Sequence, residues 1–259
     1  VQPFGGEGLS GTGPKAGGPF TLRALARPVV PAAPPFAFAA PDANALPAAD
    51  LAEALALLAQ AATAAAGVDR ERVLREMARL GGTPVERAVA GALRALDEGH
   101  ERELPGPTGE RNTWCAIPRG LTVALGDEAG AATAWVAQAI AAVAAGNPVL
   151  LAGAHEAEAQ TAARVAAWVR TAGWPAVAAV ASEEDWAGVA SLAAVLAGTP
   201  ALAVAANRLV AARGGARIPV VEPAAAPWLY PAWRLQAERS VSVNTVAAGG
   251  NAHLLAQMD

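Results

Sequence analysis

The chain has 259 residues, a formal net charge of −4 and a single cysteine. That length allows one or two domains. The charge, with no basic patch, argues against a nucleic-acid partner, and one cysteine excludes a disulfide framework and suits a reducing compartment. Three scattered histidines set out no metal cluster.

The chain opens on VQPFGGEGLSGTGPKAGGPF. Gly6-x-Gly8-x-x-Gly11 matches a dinucleotide fingerprint only literally. That fingerprint works after a strand and at the opening of a helix. Here Pro3 and Phe4 precede it, and Thr12-Gly13-Pro14 with Gly17-Gly18-Pro19 is expected to forbid a regular helix. A serine elbow also fails, because Thr12 stands where its last glycine belongs. A tight surface loop is the plain reading.

Residues 28–47 carry six prolines and read as an extended linker. Three helices follow. The first spans about 48–66 and stops at Gly67. The second starts after Asp69 and ends near Gly81. The third opens on Thr83-Pro84 with Glu86 completing a capping box, and ends near Gly99. Val85, Val89, Leu93 and Leu96 recur at helical spacing, which packing alone explains. LPGPTGERN (104–112) reads as a turn-rich hinge.

The texture then changes to alternating strands and helices. Strands are predicted at 120–125, 148–153, 176–181, in LAAVLAG and at 218–222, with helices at 128–146, 155–172 and about 200–213. Ser182 and Asp185 frame a further helix start. The stretch around 131–154 is the most membrane-like, but alanine is a weak hydrophobe and Gln138, Asn147 and Pro148 interrupt it, so it reads as buried helix, turn and strand. No signal peptide is visible. The alternation implies an α/β fold: a parallel, Rossmann-like sheet with flanking helices, preceded by a small helical block. RSVSVNTV (239–246) alternates at period two and suggests a half-exposed or edge strand, a β-flap followed by the C-terminal tail.

QPFGGEGLSGTGPKAGGP (2–19) resembles the final active-site loop of aldehyde dehydrogenases. It is most similar to the glutamate-semialdehyde dehydrogenase module of the bifunctional proline-oxidising family, proline utilization A. LPGPTGERNTW (104–114) and RSVSVNTVAAGGNAHLL (239–255) resemble the long members of that family. AAVAAGNPVLLAGAHEAEAQTA (141–162) resembles an aldehyde dehydrogenase coenzyme segment, so 114–222 looks like a second, degenerate copy of the coenzyme domain. On that likeness the family's coenzyme lysine falls on Ala152, its partner glutamate on His155 and its glutamate on Glu222. No cysteine follows Glu222, and Cys115 stands in the wrong place to attack an aldehyde, so it reads as a buried inert thiol.

The resemblance divides the chain into 1–27 (the end of the dehydrogenase catalytic region), 28–47 (linker), 48–113 (helical block and hinge), 114–222 (Rossmann-like domain) and 223–259 (flap and tail). It implies no catalytic, metal or cofactor-binding residue in this chain. NAD and FAD would serve the longer enzyme. The backbones of Gly6 and Glu7 would anchor the α-carboxylate of an aldehyde substrate. Phe4 would be loop packing or a substrate wall, and Ser10 would orient the loop or make a turn hydrogen bond. The implied partners are upstream proline dehydrogenase and aldehyde dehydrogenase domains of one chain, with a homo-oligomer left open. The implied location is the bacterial cytoplasm, with peripheral membrane association of the longer protein left open. Without the upstream domain, 1–27 is expected to stay mobile. Two other readings remain: a working nucleotide-binding domain, and a dimer-forming module that uses the 239–246 strand.

Overall fold

Asp50 and Asp69 set the first long helices. The Asp50 carboxylate accepts the Glu53 N–H at 2.9 Å, and that of Asp69 accepts the Arg72 N–H at 3.2 Å. Each satisfies a donor that the first helical turn leaves unpaired. The computed structural model describes residues 2–6, 13–26, 48–65, 67–95, 101–126, 132–223 and 230–245. Glu7, Ser10, the linker 28–47 and the tail beyond 245 lie outside the described residues.

In chain order the elements are α1 (Pro19–Leu25), α2 (Leu51–Ala64), α3 (Arg70–Ala95), β1 (Arg102–Leu104), β2 (Glu110–Pro118) and β3 (Leu121–Leu125). Then come α4 (Ala132–Ala145), β4 (Val149–Gly153), α5 (Glu156–Thr171), β5 (Ala176–Val180), α6 (Glu183–Ala187) and β6 (Leu192–Ala197). The chain continues through α7 (Pro200–Ala211), β7 (Val220–Val221), a 3-10 turn at Ala232–Leu235 and β8 (Gln236–Asn244). Contacts divide the chain into two units. The smaller gathers Val1–Arg27, Asp97–Ile117 and Ala237–Asp259, and the larger Pro28–Leu96 and Pro118–Gln236.

The larger unit holds a five-stranded parallel sheet in the order β5-β4-β3-β6-β7. Counted from β3, that is 3-2-1-4-5, the doubly wound order. Both faces are apolar, so the strands read as near-continuous hydrophobic runs. Val149, Leu151 and Leu196 point to one core with α3, α4 and α5. Leu150, Val195 and Val123 point to the other with α2, α6 and α7. Asn147, fully buried at the α4–β4 turn, is a polar hub. It accepts the Gly120 N–H at 3.2 Å on its side chain, donates to the Leu235 carbonyl at 2.9 Å, and its own carbonyl accepts the Trp174 indole at 2.9 Å. Gly146 before it takes φ +83°, the left-handed stop the sequence predicts.

In the smaller unit β1, β2 and β8 form a three-stranded sheet, with β2 central. Two sequence expectations need correction. The predicted hinge at 104–112 is instead the turn of a hairpin, because β1 pairs antiparallel with β2 and Arg102 stands opposite Trp114. Gly17-Gly18-Pro19 does not forbid a helix: it starts one. Proline at the first helical position loses only a donor that has no intrahelical partner anyway, and its fixed φ suits the helix. The second and third predicted helices hold: the backbone at Gly82 is non-helical (φ +71°, ψ −173°), so α3 is two helices that meet at a kink where the sequence places their boundary.

Candidate functional site

In the smaller unit the opening loop is closed by its own backbone. Phe4 N–H donates to the Ala16 carbonyl at 3.1 Å, and Ala16 N–H to the Phe4 carbonyl at 2.8 Å. Lys15 organises what lies between. Its ammonium donates to the Gly5 carbonyl at 3.0 Å, and its own carbonyl accepts the Thr21 hydroxyl at 2.7 Å and the Gly18 N–H at 3.0 Å. Its backbone N–H donates to Glu238 Oε2 at 2.6 Å. The other oxygen of Glu238 accepts the Trp114 indole at 3.1 Å. Glu238 is only 8% exposed, and Trp114, stacked edge-on against Phe20 at 5.3 Å, is fully buried. Glycine at 18 makes room for this carboxylate: a Cβ there would lie 2.6 Å from Glu238 Oε1 and 3.0 Å from the Lys15 carbonyl oxygen. The strip expected to lack partners thus finds them in β2 and β8. Of the anchor-loop residues, Gly6 is described and exposed, and Phe4 is 84% exposed, so it does not pack the loop.

In the larger unit the strand order reverses between β3 and β6, which opens a crevice at the carboxyl end of the sheet. Doubly wound sheets bind their ligands in the crevice outside that switch point. Here side chains of the domain itself occupy it. Gln138 of α4, fully buried, donates from Nε2 to the Leu125 carbonyl at 2.6 Å and to the Tyr230 hydroxyl at 3.0 Å. Tyr230 in turn donates to the Ala197 carbonyl at 3.0 Å. Leu125 and Ala197 are the last residues of β3 and β6. Fully buried Trp135 closes the space from the same helix. A Cβ at Gly126 would meet its ring at 2.5 Å. Trp135 Nε1 and Gln138 Oε1 have no hydrogen-bond partner among the described residues. Such groups cost on the order of 1–3 kcal/mol each.

The coenzyme positions implied by the resemblance do not converge on a ligand. Ala152 is buried in β4. His155 caps α5, accepting the Glu158 N–H at 3.4 Å on Nδ1, while Glu158 accepts the Ala154 N–H at 2.8 Å. Gly153 between them allows β4 to meet the first turn of α5, since a Cβ would lie 2.5 Å from the Ala159 nitrogen. Glu222 is exposed after β7, near Arg234. Burial and the neighbouring Arg217 pull the Arg234 guanidinium below its ordinary range, and Glu222 opposes them. Cys115 is buried in β2 between Trp114 and Ala116. These residues do not fit a dinucleotide at the switch point.

Sequence reasoning missed the crevice residues and the Lys15–Glu238 link. Gln138 left a signal, as a large polar side chain in the middle of the apolar α4. Glu238 left none, because a charged residue opening a half-exposed strand is ordinary. Among the described residues no group of histidine, cysteine and carboxylate side chains could hold a metal, and no helix is long and apolar enough to cross a membrane.

Fold and crevice define a Rossmann-type α/β domain whose ligand cleft is filled from within. No family model matches the chain. It is homologous to bifunctional PutA proteins: 36% identical to that of Salmonella typhimurium over 98% of this chain, and 33% identical to that of Rhizobium meliloti over 99%. The chain spans 18% of the length of these relatives. A solved bifunctional proline utilization A protein superposes over 68% of this chain and 22% of its own, with a TM-score of 0.53 and 25% identity. A variant of the Bradyrhizobium japonicum protein shares the fold over the same 68%, at a TM-score of 0.54 and 24% identity, covering 22% of that chain.

Proposed function

We propose that this chain is a non-catalytic part of a bifunctional enzyme that oxidises proline to glutamate. It supports the NAD-dependent glutamate-semialdehyde dehydrogenase and seals the channel through which the semialdehyde travels. The observation that carries this reading is the switch-point crevice, filled by Trp135, Gln138 and Tyr230 where a Rossmann domain at work would hold its coenzyme. NAD would serve the dehydrogenase and FAD the proline dehydrogenase, both held by upstream domains of a cytoplasmic polypeptide. Large apolar side chains left exposed in the smaller unit (Phe4, Leu22, Leu25, Val241 and Val243) favour docking onto such domains.

The opening loop is the part of the chain that would touch substrate. Backbone N–H groups at Gly6 and Glu7 would hold the α-carboxylate of the semialdehyde, because a tight glycine loop lets an anion approach donors that side chains would otherwise screen. Ser10 would steady the loop. The tail beyond Val243 would cover the channel wall, keeping a reactive aldehyde from bulk water.

Two measurements test this. The isolated chain should give no aldehyde-dependent NADH; turnover abolished by Glu222→Gln would overturn the reading. In the full-length protein, deleting 243–259 should leave proline oxidation nearly intact, cut coupled NADH formation strongly, and release intermediate that an aldehyde-reactive amine traps. Unchanged coupled rates without extra trapped intermediate would reduce the tail to a terminus.

A further inference from the structure

Lys15 and Glu238 are separated by 223 residues, yet their hydrogen bond is among the shortest joining distant parts of the chain. The carboxylate stands at a junction. One oxygen holds the backbone of Lys15 in a partly buried contact, the other the indole of Trp114 in β2 in a buried one. Lys15 then passes the constraint on, because its ammonium grips the Gly5 carbonyl, one residue from Gly6. On the Pro3 side, Ser240 of the same strand donates to the Pro3 carbonyl at 3.4 Å. Both sides of the loop are therefore tied to β8, and the tie on the Lys15 side is charge-assisted.

We propose that Glu238 is a positioning residue for substrate binding: through Lys15 it fixes the Gly5–Gly6 backbone in the shape that receives a carboxylate-bearing aldehyde. This rests on the anchor-loop reading above. The chemistry requires a carboxylate at 238. Two N–H donors converge on it, and an amide offers one acceptor oxygen and two further donors. Glutamine would therefore leave either Lys15 N–H or the Trp114 indole facing another donor. A glutamate here binds no substrate. It sets the geometry of the loop that does, and a loop out of shape loses binding more than chemistry.

The experiment uses the full-length protein with two aldehydes of equal length, one bearing an α-carboxylate and one without it. In the wild type the carboxylated aldehyde should have the lower KM. Glu238→Gln should raise that KM about tenfold, the worth of one hydrogen bond to a charged group. The kcat and the KM for the carboxylate-free aldehyde should change little. Glu238→Gln combined with Trp114→Phe removes the competing indole donor and should restore part of the lost affinity. Lys15→Met, which leaves the buried carboxylate intact, should raise the same KM by a smaller factor and serves if Glu238→Gln does not fold. A wild type indifferent to the carboxylate would sink the anchor-loop reading and this inference with it. A wild type that discriminates, with Glu238→Gln and Lys15→Met discriminating equally well, would overturn the role of Glu238 alone. So would a Glu238→Gln protein whose kcat falls equally on both aldehydes, because that is the signature of a structural brace.

Discussion

For NAD to enter the switch-point crevice, the side chains that fill it must leave. Displacing Gln138 and Tyr230 breaks at least three hydrogen bonds, among them Gln138 to the Leu125 carbonyl, Gln138 to Tyr230, and Tyr230 to the Ala197 carbonyl. At about 0.5–1.5 kcal/mol each, the net cost is about 1.5–4.5 kcal/mol before any movement of Trp135. Every 1.4 kcal/mol is tenfold in affinity, so a crevice that would bind at about 10 μM when open should bind at about 0.1–10 mM here. Isothermal titration of the chain with NAD reads this directly. Weak or absent heat is expected. A dissociation constant of a few micromolar, with Gln138 and Tyr230 in place, would refute the claim that these residues close the site, and would favour a working nucleotide-binding domain.

Gly153→Ala should lower stability by about 3 kcal/mol, the upper end for overpacking, because its Cβ would strike the Ala159 backbone at 2.5 Å. Gly67→Ala, at φ +88° with no atom within 4 Å, should cost only about 1–2 kcal/mol, and thermal unfolding of the two variants compares them. The hydrogen bonds from Ser182 hold the Asp185 carboxyl below its ordinary pKa. A depressed folded-state value stabilises above the unfolded pKa and is lost as pH falls through the folded one. Protection of the α6 amides should therefore weaken on acidification below the ordinary aspartate range, and Asp185→Asn should abolish that dependence. Amide exchange at Lys15 and Ala16, which donate to Glu238 and Phe4, should be slow; exchange as fast as in a free peptide would return residues 1–27 to the mobile strip expected from the sequence.

The parallel sheet was legible because its period is written in the chain. Runs such as VLLAG and AVAAV are apolar throughout, as strands buried on both faces must be, and Gly146 and Ser182 punctuate them. The hairpin of β1 and β2 was not. Arg-Glu-Leu is too short and too charged to announce a strand, and Pro105-Gly106-Pro107 signals a turn without saying what it joins. The coenzyme-segment positions could be placed on Ala152 and His155 only through resemblance, since an alanine in a strand and a histidine at a helix cap carry no message of their own. What fills the crevice was out of reach, because Tyr230 meets Gln138 from 92 residues away and no local pattern records the meeting.

The Lys15–Glu238 hydrogen bond also has a consequence in time. A ribosome adding about 5–20 residues per second needs roughly 10–45 s to make the 223 residues between its partners. Throughout that interval the opening strip has been made but its carboxylate partner has not, while most of the segments that form the parallel sheet are already emerging. The loop that would read a substrate's carboxylate is thus among the earliest parts of this chain to be synthesised and among the last to acquire its shape, which leaves it open to proteases and to mispairing for as long as synthesis of the chain continues.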